Sequence, residues 1–293
     1  MTIRLGELAT TVHGPSSDAG ALLAVHGITA NGRSWDAVVA HIPERRILAP
    51  DLRGRGRSND LPGPYGLRTH AADLAALLDA DGAGARTVLG HSMGAFAAVA
   101  LAAARPDLVD RLVLVDGGFP LALPPGAASV EDIDLDALLG PAAARLEMVF
   151  ADEDAALDFW RVHPAFARDW SPAVEQYARY DLVGEAPALR ASAVAAAMIE
   201  DGAELYGPDW YLDALRGLRM PVTVLRAPRG LLDDDPLYAT GALEGFRSLV
   251  PQLDIVHVDD VNHYTILFAD RGAARVAAAA STPVPRRRSR HDR

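Results

Sequence analysis

The chain has 293 residues, no cysteine and a net charge of −11 at pH 7. That length is ample for a large buried core, and the missing thiols exclude disulfides and cysteine-bound metal. The acidic balance argues against nucleic acid or an anionic membrane as partner.

In chain order, Ile3 to Leu5 and Leu8 to Val12 read as an opening antiparallel hairpin. Leu22 to His26 and Ile47 to Pro50 are the next strands, with a helix near Trp35 to His41 between them. Leu67 to Ala80 has apolar residues at helical spacing and stops at Gly82. Thr87 to Gly90 is a strand, Ala95 to Ala104 a helix of small residues, and Arg111 to Asp116 a sixth strand. Then the strand–helix alternation stops. Residues 119–216 open on a Pro-rich linker and continue as helical segments over Leu135 to Phe150, Ala155 to His163, Pro172 to Leu182, Ala188 to Asp201 and Asp209 to Leu215. Val222 to Ala227, Asp254 to Val258 and a terminal helix over Tyr264 to Ala280 resume the first pattern. Residues 281–293 are polar, basic and proline-bearing, and read as a disordered tail. Alternating strands and helices imply an α/β protein whose mostly parallel sheet has helices on both faces. The limits expected are 1–118 and 217–280 for the two parts of the core and 119–216 for the insertion.

Gly90-His91-Ser92-Met93-Gly94 fits G-x-S-x-G, and it lies where that motif carries meaning, between a strand and a helix. Such a turn strains the serine backbone and holds its hydroxyl clear of the sheet. Upstream, His26-Gly27-Ile28 follows one strand and Asp51-Leu52-Arg53-Gly54-Arg55-Gly56-Arg57-Ser58 follows the next; downstream come Leu112-Val113-Leu114-Val115-Asp116 and Val261-Asn262-His263-Tyr264. With these motifs in this order, roughly over residues 20 to 270, the chain resembles the α/β-hydrolase superfamily. The resemblance implies an α/β-hydrolase fold with an eight-stranded, mostly parallel sheet and an α-helical cap inserted after strand 6.

It also implies the site. A serine hydroxyl needs a base within hydrogen-bond reach, and in this superfamily the base lies after the last strand, where His263 stands. The acid that orients it has two main candidates, with Asp234 or Asp235 behind them. Asp233 follows the seventh strand in a loop whose usual acidic position is taken by Gly230, while Asp116 ends the sixth strand. Either preserves the order Ser, Asp, His. The backbone N–H groups of Ile28 and Met93 are expected to form the oxyanion hole. His26 should brace that turn through hydrogen bonds, and His91 should point away from the reacting face. His13, His41, His70, His163 and His291 carry no motif and are expected in solvent.

The 119–216 segment holds most of the chain's 18 aromatic residues. Many must form its own small core, but some are expected to roof an apolar pocket, with Trp160 and Trp170 singled out. A serine at the elbow disfavours dehalogenase and epoxide hydrolase chemistry, which uses aspartate there. No histidine pair has zinc-ligand spacing, and Gly54-Arg55-Gly56 lacks the phosphate-loop pattern. The expected activity is hydrolysis of a small to medium, apolar carboxylic ester or lactone through an acyl-enzyme. The alternatives are C–C bond hydrolysis of a diketone-like substrate with the same triad, and a non-catalytic ligand-binding protein. No cofactor and no metal are expected; the partner is a small-molecule substrate, with no nucleic acid and no membrane, and the chain a monomer or homodimer. No run approaches the ~20 apolar residues of a membrane helix, and Met1-Thr2-Ile3-Arg4 does not open a signal peptide. A cytoplasmic location is therefore expected.

Overall fold

Side-chain alternation along the strands decides the layering of the molecule. Leu23 and Val25 face one side of the sheet and Leu22 and Ala24 the other, so consecutive residues of a single strand belong to two separate cores. A strand covered on both faces reads as an unbroken apolar run, which is what Leu22 to Val25 shows.

The computed structural model describes residues 1–15, 21–82, 86–123, 126 and 141–282. Its strands are β1 (Thr2–Leu5), β2 (Leu8–His13), β3 (Leu22–Val25), β4 (Ile47–Pro50), β5 (Arg86–His91), β6 (Val109–Val115), β7 (Leu182–Val183), β8 (Arg190–Ala191), β9 (Val222–Arg226) and β10 (Leu253–His257). Eight of them form one sheet in the order β1-β2-β4-β3-β5-β6-β9-β10. The first two pairings, β1 with β2 and β2 with β4, are antiparallel; all the others are parallel. This is the sheet expected from sequence, hairpin included.

Helices α1 (Asp36–Ala40), α2 (Leu67–Asp81) and α3 (Met93–Ala104) fall where expected. Gly82, at φ 71°, ends α2 by returning its N–H to the carbonyls of Leu78 and Asp79. Beyond β6 come α4 (Pro141–Glu147), α5 (Glu153–Arg161), α6 (Pro172–Tyr180), α7 (Ala195–Glu204) and α8 (Asp209–Gly217), and after β10 come α9 (Thr265–Phe268) and α10 (Asp270–Ser281). Asp152 and Ser171 cap α5 and α6 by accepting the N–H groups of Ala155 and Val174.

The segment expected to be all helical is not. Leu182 and Val183 pair antiparallel with Ala191 and Arg190, and α7 begins at Ala195 rather than near Ala188. Gly184 at φ 88° and Pro187 interrupt any helix there and turn the chain back on itself. α8, which begins within the 119–216 span and runs to Gly217, packs its Tyr211 against Phe96 of α3, ring centroids 5.3 Å apart, within the same apolar cluster as the sheet. The tail from 283 onward and the start of the helix expected from Leu135 lie outside the described residues.

The strand order positions the site. From β3 the chain moves to β4 on one side, then crosses to β5 on the other. The loops leaving β3 and β5 therefore diverge and leave a crevice at the carboxyl ends of the strands, the usual ligand position in open α/β sheets.

Candidate active site

Ser92 stands at that crevice. It joins β5 to α3 at φ 54° and ψ −127°, a conformation costly for a residue with a Cβ. Its N–H donates to the Val115 carbonyl at 3.0 Å and its carbonyl accepts from Ala95 at 2.9 Å, so neighbours on both sides hold the strained turn. The tight approach also needs glycine. A Cβ on Gly90 would stand 2.4 Å from the Gly94 carbonyl, and one on Gly94 would stand 2.2 Å from the Val25 carbonyl.

Asp116 follows β6 directly, at φ 45° and fully buried. Its Oδ1 accepts from the Ala227 N–H at 3.0 Å, and its Oδ2 lies 2.7 Å from Nδ1 of His263, a buried side chain. An ionised carboxylate can only accept, so Nδ1 carries the proton and Nε2 is left as the accepting nitrogen. Ser92 and His263 line the same cleft.

Asp233, the other candidate acid, is placed elsewhere. Its Oδ1 accepts from Arg229 Nε at 2.6 Å and from Asn262 Nδ2 at 2.9 Å. Partial burial raises its carboxyl, but the Asn262 and Arg229 bonds outweigh that and hold it below the ordinary carboxylate range. Asn262 also donates to the Ala165 carbonyl at 2.8 Å and accepts from the Tyr264 and Thr265 N–H groups at 3.0 and 2.8 Å. Asp233 thus braces the loop that presents His263.

His91 corrects an expectation. Its ring lines the cleft, lies 4.7 Å from the His263 ring, and donates through Nε2 to the His263 carbonyl at 2.8 Å. Burial, then the nearby charge of His263, pushes its pKa well below 6.5. A neutral His91 does not repel the imidazolium that His263 would become. His26 behaves as expected: Nδ1 donates to the Gly27 carbonyl at 2.8 Å, and Nε2 accepts from the Leu52 N–H at 2.9 Å. Burial lowers its pKa to about 3. Of the histidines expected in solvent, His70 and His163 are buried. His70 bonds Asp201 at 2.9 Å, and His163 accepts from the Ala165 N–H at 3.2 Å beside Trp160 and Phe166. His291 lies outside the described residues.

The cleft encloses about 760 Å³ of empty space, its open mouth included. Ile28 and Met93 border it next to Ser92, and Ala30, Phe96, Leu121, Leu205, Leu231, Leu237, Leu267 and Phe268 make it apolar. Its aromatic lining is Phe96, Tyr177 of α6, Tyr264 and Phe268, not the two tryptophans expected. Trp160 is buried behind the two tyrosines, 5.9 Å from the Tyr177 ring and 6.3 Å from that of Tyr264. Trp170 sits under the Arg161 guanidinium at 5.7 Å. Nothing in the residue types marks which aromatic faces the cleft; Tyr177 and Trp160 both lie on the inward stripes of amphipathic helices. Among the described residues, no three His, Asp or Glu side chains converge as metal ligands.

Residues 20–270 match the family model described as alpha/beta hydrolase fold. Lipase LipV of Mycobacterium tuberculosis is 43% identical over 141 residues, 46% of this chain; the match spans only 51% of that lipase. The 2-(acetamidomethylene)succinate hydrolase of Mesorhizobium japonicum is 28% identical over 245 residues, covering 83% of this chain and 81% of that protein. The crystal structure of E-2-(acetamidomethylene)succinate hydrolase superposes with a TM-score of 0.79 at 25% identity, over 96% of this chain and 98% of that one. With the sheet order, the serine turn and a family match over most of its length, the chain belongs to the α/β-hydrolase family.

Proposed function

We propose that this hydrolase cleaves carboxylic esters with an apolar acyl group, through a Ser92–His263–Asp116 triad and an acyl-enzyme. The observation that carries the reading is the 2.7 Å bond between His263 Nδ1 and a fully buried Asp116, made at the polar end of an apolar cleft that also holds Ser92. His263 Nε2 takes the Ser92 proton as Oγ attacks the ester carbonyl; Asp116 fixes the tautomer and stabilises the imidazolium. The negative oxygen is received by the Ile28 and Met93 N–H groups, the second at the start of α3. His263 returns its proton to the leaving alcohol, then activates a water that frees the acid. The helices between β6 and α8 act as the cap, with Leu121, Tyr177 and Leu205 roofing the acyl group.

Initial rates on p-nitrophenyl esters of increasing acyl length, wild type against Ser92→Ala, test this. The expected result is turnover with an optimum at a medium chain, abolished in the variant. Turnover of vinylogous diketones with no ester hydrolysis would favour C–C bond cleavage and overturn the ester reading.

A further inference from the structure

Two of the buried guanidiniums that the mechanism leaves unused, those of Arg55 and Arg145, sit at the oxyanion turn. Three successive carbonyls of that turn are each held by a buried side chain. Gly27 O accepts from His26 Nδ1 at 2.8 Å, Ile28 O from Arg55 Nε at 2.9 Å, and Thr29 O from Arg145 Nη2 at 3.2 Å. Peptide groups are planar, so a held carbonyl fixes the N–H on the other side of the same plane. The Gly27 carbonyl therefore sets the Ile28 N–H, and the next two bonds set the peptides that keep it aimed.

Neither arginine can stay buried uncompensated, because an unpaired charge in the interior is strongly unfavourable. Each is neutralised by a carboxylate from the segment between β6 and β9. Arg55 meets Asp201 of α7 at 2.6 Å, both side chains fully buried; Arg145 pairs with Asp181, which follows α6. Asp201 is further tied to the core by His70 at 2.9 Å and by the Gly66 N–H at 2.6 Å. Arg55 thus reaches from the Gly-rich loop after β4 in two directions, to the oxyanion turn with Nε and to the cap helix with Nη2.

We infer that Asp201, acting through Arg55, is a positioning residue that ties the geometry of the oxyanion turn to the seating of cap helix α7. The consequence is a split in the kinetics. An ester is held by the apolar cleft whether or not the turn is aimed, whereas the tetrahedral oxyanion needs the aimed N–H. Loss of the clamp lowers kcat and leaves KM nearly unchanged. This rests on Ser92 being the nucleophile.

Arg55→Lys tests it, since lysine keeps the charge opposite Asp201 but lacks the Nε–H that grips Ile28 O. The readouts are kcat and KM for the best p-nitrophenyl ester, and the rate at which an alkyl fluorophosphonate labels Ser92, which passes through a comparable oxyanion. The expected result is a folded variant with kcat and labelling rate down by about ten- to a hundredfold, and KM within about twofold. The double variant Arg55→Met, Asp201→Leu guards against misfolding, because apolar replacement of a whole buried pair is commonly tolerated; it should stay folded and show the same loss. Wild-type kcat and labelling in either folded variant would overturn the inference and leave the esterase reading standing. A wild-type protein that neither hydrolyses esters nor labels at Ser92 would overturn both.

Discussion

Asp116 directly follows β6 and Asp233 lies in the loop after β9, and their neighbours separate them. Asp116 is fully buried, with one oxygen on the Ala227 N–H and the other on His263. Asp233 spends its bonds on Arg229 and Asn262. Asp116→Asn should lower kcat by about 10⁴-fold, because an amide facing Nδ1 favours the wrong imidazole tautomer. Asp233→Asn should cost less than about tenfold, since only the bracing of the His263 loop is weakened. Steady-state kinetics on both variants decides, and equal losses would sink the assignment. The sequence alone could not separate the two. Ser92 and His263 are legible because a local turn motif and a position after the last strand define them, whereas the acid depends on loop paths. The loop after β9 folds back, with the Gly230 N–H on the Asp234 carbonyl, and so delivers Asp233 to Arg229 instead of to the base. The buried arginines were harder still, because Arg55 and Arg145 carry no local sign that their partners, Asp201 and Asp181, lie far along the chain.

At the scale of elements, strands and core helices were readable because their signals are periodic and two-sided. β3 and β4 are buried along their whole length, and α3 is a run of small residues that lets it lie against β3 and β5. The inserted segment is less legible in the sequence, for a physical reason. Its helices are short and amphipathic, so each has one buried stripe whose partner the sequence does not name. Trp160, on the buried stripe of α5, found a nest of Phe166, Tyr177 and Tyr264 rings rather than the cleft. The β7–β8 ladder is two residues a side, too short for any alternation to announce it. No helix among the described residues is long and apolar enough to cross a membrane.

For the whole molecule, the buried histidines set a pH dependence of stability. Burial lowers His26 to about 3, and burial followed by a nearby arginine lowers His13 and His163 to about 4; His91 is also pushed well below 6.5. A group whose folded pKa is depressed stabilises the fold above its unfolded value and loses that contribution as pH falls. The loss therefore runs from about pH 6.5 down to about 3, and His26 alone accounts for about 2 kcal/mol by pH 5. Asp36, raised to about 6 by burial, and Asp51, raised by burial, act in the opposite sense. Urea midpoints should fall steadily between pH 6.5 and 4.5, and a flat profile would contradict the buried neutral histidines.

The claim on which the whole account depends is a covalent one, that Ser92 carries the acyl group. Acid-quenched intact-mass measurement after mixing with a p-nitrophenyl ester tests it most directly. The account predicts a mass increase equal to one acyl group per chain, localised to Ser92 by fragmentation and absent from Ser92→Ala. Nitrophenolate release undiminished in Ser92→Ala, or an acyl group found on another residue, would contradict it.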